Sequence, residues 1–188
     1  MSHYRRCYLP GGSFFFTVVT ERRAPILGND LARDLLRTAF RDCFERWPPF
    51  RVDAMVMLRD HLHAIWILPP GDTDYSKRWG AIKKHFTQSW LELGGPEQLR
   101  TASRCRYRRR GIWQRRFWEH ALRDEMDYMR HFDYLHYNPV KHGLVNCPRN
   151  WPYSTFHRWA ERGAYDWQWG CGNSDFVDFA DLTETTGE

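Results

Sequence analysis

No stretch of the chain approaches the roughly 18 consecutive apolar residues that a membrane-spanning helix needs. The opening MSHYRRCYLP is charged and has no apolar run or small-residue cleavage site behind it. Neither a membrane nor a secreted protein is expected, and a cytoplasmic location is. Cysteine is sparse and scattered: Cys7, Cys43, Cys105, Cys147 and Cys171 are odd in number and include no C-x-x-C pair. That argues against a disulfide framework or a cysteine zinc site, and for free thiols in a reducing compartment. No internal repeat is visible. Acid is missing from Arg100 to Arg116, and base is missing after residue 164.

What is present is aromatic and basic. Of 188 residues 16% are aromatic, which excludes a disordered chain and gives one domain ample core material. The whole chain carries +5, but the first 164 residues hold 28 basic against 17 acidic side chains, a net +11. The remainder carries six acids, Asp166, Asp175, Asp178, Asp181, Glu184 and Glu188. The acid-free window holds eight arginines, Arg100, Arg104, Arg106, Arg108, Arg109, Arg110, Arg115 and Arg116. A solvated loop usually mixes signs, so this block points to a polyanionic partner, a flexible linker being the alternative.

Gly12 to Thr20 is β-branched and aromatic and reads as a buried strand. A helix follows from Asn29-Asp30 to about Trp47, where Pro48-Pro49 stops it. Phe50 to Leu58 and His61 to Leu68, joined across Arg59-Asp60, form an antiparallel hairpin. A second helix spans about Tyr75 to Leu93, with Trp79, Ile82, Phe86 and Trp90 inward and Lys77, Arg78, Lys83 and Lys84 elsewhere on its surface. Gly94 to Gly111 reads as a mobile loop, Ile112 to His120 as a strand, and Asp124 to Tyr137 as a helix stopping before Pro139. The order describes an α+β domain over residues 1–150, with a mostly antiparallel sheet and helices on its faces. Residues 151–188 form a C-terminal extension with an acidic tail.

His61 and His63 are two apart on a strand, so both rings point to one face and can share a divalent metal; two ordinary hydrogen-bonded histidines are the alternative. On the helix from Asp124, the residues Tyr128, Met129, Phe132 and Leu135 gather on one face and Asp127, His131, Tyr134 and Asn138 on the other. Tyr134 is therefore not expected in the core, and Asn138, one turn on, projects in its direction. A surface tyrosine and a helix-capping asparagine remain the alternatives.

His61-Leu-His63, followed by Tyr134-x-x-x-Asn138 within DYLHYNPVKHGLV, resembles the single-tyrosine HUH transposases, and more closely the REP-associated tyrosine transposases, which act on repetitive extragenic palindromes. Tyr4-Arg5-Arg6, Arg78-Trp79, Lys83-Lys84, the string WQRRFWEH from Trp113 to His120, and WPYSTFH from Trp151 agree; the likeness covers roughly residues 4 to 160. The resemblance implies a ferredoxin-like HUH nuclease domain, a Mg²⁺ or Mn²⁺ ion on His61, His63 and Asn138, and Tyr134 as the nucleophile. It implies single-stranded and hairpin DNA as partner, cleavage through a 5′-phosphotyrosine with rejoining, and a nucleoid-associated monomer, a dimer being the alternative. A hairpin-binding protein that has lost cleavage is the rival function. Asp60, His120 and His131 are candidates for supporting roles around the metal or in proton transfer. Arg5, Arg6, Arg78, Lys83, Lys84, Arg104, Arg106, Arg108, Arg109, Arg110, Arg115 and Arg116 are candidates for DNA contact. The acidic tail is expected to compete with DNA for the basic body, unless Trp167 and Trp169 pack it on the domain.

Overall fold

The computed structural model describes residues 6–172 together with Phe179, Leu182, Thr186 and Gly187; Arg5 and the acids Asp175, Asp178, Asp181, Glu184 and Glu188 lie outside the described residues. The strands are β1 (Ser13–Val19), β2 (Arg51–Met57), β3 (His61–Ile67) and β4 (Trp118–Ala121). They form one antiparallel sheet in the order β2-β3-β1-β4. With helices α1 (Asp30–Arg46) and α2 (Tyr75–Glu92) placed after β1 and β3, the chain order is βαββαβ, a ferredoxin-like arrangement.

Strand alternation sorts the core into two layers. Phe14, Phe16, Val18, Leu62, Ala64 and Trp66 pack with Phe40, Trp79, Ile82 and Phe86 of α1 and α2. Phe15, Ala54, Val56 and Ile65 face the other way, onto Phe132, Tyr134 and Leu135 of α4 (Glu125–Lys141). The histidines share the face of Ile65, so the local sequence HLHAIWI delivers His61 and His63 to the α4 layer and Leu62, Ala64 and Trp66 to the opposite one.

Several expectations are corrected. The helix expected to stop at Tyr137 continues through Pro139 to Lys141, because a proline in the last turn removes one hydrogen bond without breaking the helix behind it. The loop after α2 contains a short helix, α3 (Ala102–Arg106), capped by the Thr101 side chain. The last strand is shorter than expected, with Trp113 making only an isolated bridge to Thr20. Arg78 is not on the surface: it is 1% exposed, hydrogen-bonded to Asp72 (2.8 Å) and to the Pro48 carbonyl (3.0 Å). Cys147 and Cys171 are joined by a disulfide, while Cys7, Cys43 and Cys105 are free thiols.

Both sides of α4 are covered from His131 to Pro139, while Met126 and Met129 nearer its start stay exposed, which is why its polar face could not be read as a surface. The polar side meets the sheet, with His131 and Tyr134 against Phe15. The apolar side meets the segment that includes α5 (Phe156–Glu161), where Phe132 stacks on Tyr165 and meets Trp159 edge-on. His136 belongs to that contact, accepting or donating at Nδ1 to the Tyr165 hydroxyl (3.1 Å) and at Nε2 to Thr155 Oγ1 (2.9 Å).

Burial pushes the His136 pKa down to about 3. Between that value and the ordinary 6.5, the unfolded chain binds a proton that the folded chain refuses. Stability should therefore fall as pH drops through this window, with a slope approaching ~1.4 kcal/mol per pH unit from this residue. Urea unfolding at a series of pH values should show that slope flattened in His136→Gln; an unchanged slope would assign the acid sensitivity elsewhere.

Candidate active site

The site begins with the turn between β2 and β3. Thr20, just after β1, holds that turn by donating its N–H and its hydroxyl to the Asp60 carbonyl, each at 2.8 Å. Asp60 Oδ1 then meets His61 Nδ1 at 2.7 Å, and Arg23 donates to Oδ2 at 3.0 Å. Burial raises the Asp60 pKa, but the hydrogen bonds from His61 and Arg23 outweigh it and hold the carboxyl at about 2. His63 pairs across the ladder with Thr17, whose hydroxyl lies 2.8 Å from His63 Nδ1. Both imidazoles are thus anchored at Nδ1, and their ring centres are 4.9 Å apart.

Tyr134 comes down on this pair from α4. It is 1% exposed, contrary to the expectation from helical periodicity, and its ring centre is 5.5 Å from that of His63. Lys141 Nζ donates to the Tyr134 hydroxyl at 2.9 Å and sits 4.7 Å from the ring centre. His142 approaches His61, ring centres 5.3 Å apart. Asn138 is fully buried one turn beyond Tyr134. Lys141 and His142 escape a reading of the sequence because Pro139 reads as a stop that ends the helix at Tyr137. Had it been carried through Pro139, the offsets of seven and eight from Tyr134 would have placed both on its face.

The C-terminal residues also reach this site. Phe179 meets the Tyr134 ring edge-on at 5.3 Å and the Tyr137 ring at 5.9 Å, Leu182 is buried in the same core layer, and the Thr17 hydroxyl donates to the Thr186 carbonyl. The same threonine oxygen therefore contacts both His63 and the tail.

The remaining candidates lie elsewhere. His120 and His131 are beyond Phe15, whose ring stands 5.2 Å from His63 and 5.0 Å from His131. On the opposite layer, Lys83, Lys84, Arg104, Arg108, Arg109, Arg110 and Arg115 line a cleft of about 650 Å³ between α2 and the arginine loop. Arg104 and Arg110 are paired with Glu21 and Glu97. Lys83 donates to the Gln114 carbonyl at 2.6 Å, and burial, with Arg104 and Arg6 nearby, lowers its pKa to about 8. Arg106 and Arg116 are exposed. Arg6 is bound to Glu119 at 2.6 Å and covers the Phe117 ring.

A ferredoxin-like sheet that presents two histidines to a tyrosine-bearing helix defines the single-tyrosine HUH class. The chain is 44% identical over 177 residues to the REP-associated tyrosine transposase of Escherichia coli (strain K12), a match covering 94% of this chain and 95% of that one. It is also similar to a solved REP-associated tyrosine transposase bound to a REP hairpin, with a TM-score of 0.76, 43% identity and 96% of each chain covered. No protein-family model matches. By these likenesses the chain belongs to the REP-associated tyrosine transposases.

Proposed function

We propose that the protein is a metal-dependent DNA strand transferase that binds a REP hairpin and cleaves adjacent single-stranded DNA through Tyr134. The observation that carries this reading is the Lys141 ammonium on the Tyr134 hydroxyl, 2.9 Å away, beside His63. An isolated phenol is protonated at neutral pH and is a poor nucleophile. A cation at its oxygen favours the phenolate. The phenolate oxygen bonds to phosphorus, the bond from phosphorus to the 3′-oxygen breaks, and the proton lost by the tyrosine ends on that 3′-oxygen. The products are a 5′-phosphotyrosine and a 3′-hydroxyl, and the retained phosphodiester energy allows rejoining. A covalent stage of this kind suits a transferase; simple hydrolysis has no need of it.

The donor set fits the divalent ion that the family implies. His61 and His63 are each held at Nδ1, by Asp60 and Thr17, so the ion would be taken at their Nε2 atoms, with the amide of Asn138 as the third donor. Mg²⁺ or Mn²⁺ would supply Lewis acidity toward the scissile phosphate. Asp60 orients the His61 ring and Thr17 that of His63. Tyr134 and both histidines meet within one chain, so the site would need no residue from a second copy. The arginine-lined cleft gathers the charge that a DNA stem requires.

The test is incubation of a labelled REP hairpin carrying a single-stranded flank. Cleavage in Mn²⁺ should disappear with EDTA and in His61→Ala or His63→Ala, while the hairpin still binds. Full cleavage in EDTA would contradict the metal mechanism. Lys141→Met should slow adduct formation by about 10²-fold, the scale of removing one charge-stabilising donor, with hairpin affinity unchanged. An unaffected rate would remove Lys141 from the chemistry.

A second reading, a hairpin-binding protein without cleavage, is favoured by Phe179 and Thr186 lying over Tyr134 and Thr17. Removing the tail separates the two readings.

A further inference from the structure

Apart from the histidine pair, the described residues bring together a cluster of ligating side chains, His120, Asp127 and His131, with one donor atom from each lying within 4.8 Å of the others. His120 stands on β4 opposite Phe15 of β1, and its side chain therefore enters the α4 layer. Asp127 and His131 are one turn apart at the start of α4, where (i, i+4) side chains share a face. His120 Nε2 is 2.9 and 3.1 Å from the two Asp127 carboxylate oxygens. His131 Nδ1 is 3.1 Å from Asp127 Oδ1 and 2.8 Å from the Asp127 carbonyl. The two imidazoles lie nearly parallel, centres 4.6 Å apart and 15° between planes. Both therefore aim a ring nitrogen at one carboxylate.

We propose that His120, Asp127 and His131 form a second metal site, separate from the histidine pair of β3, that takes a transition ion of the Zn²⁺ class and clamps β4 to the first turns of α4. The Phe15 ring divides the two centres, with His63 on one side and His131 on the other. Two imidazoles and a carboxylate suit a borderline ion, whereas Mg²⁺ takes oxygen ligands and keeps its waters. His131 Nδ1 rests on the Asp127 carbonyl, 2.8 Å away. Ligation at Nδ1 requires His131 to release that carbonyl and move its ring proton to Nε2. An approach from solvent exists at His120, whose side chain is 16% exposed, while those of Asp127 and His131 are buried.

The test is a Co²⁺ titration of the full chain, read by visible d–d absorption and equilibrium dialysis. The background is His61→Ala/His63→Ala, which removes the first centre. That variant is expected to bind one Co²⁺, displaced by Zn²⁺ and not by Mg²⁺, and Zn²⁺ should raise its melting temperature. Adding His120→Ala should weaken Co²⁺ at least tenfold and abolish the thermal shift; His120 is the residue of choice because it is partly exposed, whereas Asp127 also accepts from the Arg123 N–H and its loss risks the fold. Adding Asp127→Asn, with folding checked by circular dichroism, should have the same effect as His120→Ala. Failure of the His61→Ala/His63→Ala background to bind Co²⁺, or binding unmoved by His120→Ala, would overturn the proposal. Neither result bears on cleavage through Tyr134, which is read separately.

Discussion

Tyr134→Phe should abolish the covalent protein–DNA adduct while leaving hairpin affinity within about twofold of the native chain, a difference under ~0.5 kcal/mol. The substitution removes one oxygen from a ring that otherwise stays where it is, packed against Phe15, His63 and Phe179. The Lys141 ammonium loses an acceptor in the process, so a small loss of stability is expected as well. Neighbouring Tyr137 is the control: its ring lies against Trp169 and Phe179, so Tyr137→Phe should retain the adduct. If Tyr134→Phe forms the adduct at the native rate, another tyrosine is the nucleophile.

The second large effect concerns the tail. Ending the chain after Gly172 should raise the rate of adduct formation by about tenfold or more, equivalent to ~1.4 kcal/mol or more of tail docking. Phe179 covers the Tyr134 ring and Thr186 meets the Thr17 hydroxyl that also contacts His63, so a scissile strand and the tail compete for one space. A cut further back, after Ala164, would reach into the folded body. It would remove Tyr165, which is buried on Phe132 and hydrogen-bonded to Asp133 (2.7 Å), and Cys171, which is bonded to Cys147. Because competition by a tethered segment depends on effective concentration, the gain should be largest at subsaturating DNA. Equal rates with and without the tail would dismiss autoinhibition. Absence of any adduct in the truncated chain with Mn²⁺ would favour the reading of a binding protein without cleavage.

The sheet was legible because its strands carry strong local patterns: the alternation of β3 places histidines on one face and Leu62, Ala64 and Trp66 on the other, as period-two geometry demands. Helix α4 was legible in its start, where Asp124 accepts from the Asp127 N–H at 2.8 Å, and illegible in its end. Pro139 is a stop signal by its chemistry, and only tertiary packing shows that the helix passes through it. The same limit hid Lys141 and His142. Periodicity also misplaced Tyr134, because an amphipathic pattern assumes one solvent face, and here a second layer of aromatic residues, Phe156, Trp159 and Tyr165, covers the apolar stripe. Arg78 was misread for a different reason. A charge on a helix is normally solvated, and nothing local reveals that Asp72 waits six residues earlier to pair with it. The Asp127 cluster had a usable local signal, an acid and a histidine at (i, i+4), but its third member lies on β4 and joins it only through the register of β1 with β4.

The most direct test of the account is where the nucleotide ends up. The full chain and the chain ended after Gly172 would be incubated with a REP hairpin bearing a single-stranded flank and Mn²⁺, denatured, digested with trypsin and nuclease, and mapped by tandem mass spectrometry. The account predicts a nucleotide joined through its 5′-phosphate to the peptide containing Tyr134, with a free 3′-hydroxyl on the released strand. Cleaved DNA carrying a free 5′-phosphate with no modified peptide, or a nucleotide mapped to any other residue, would contradict it.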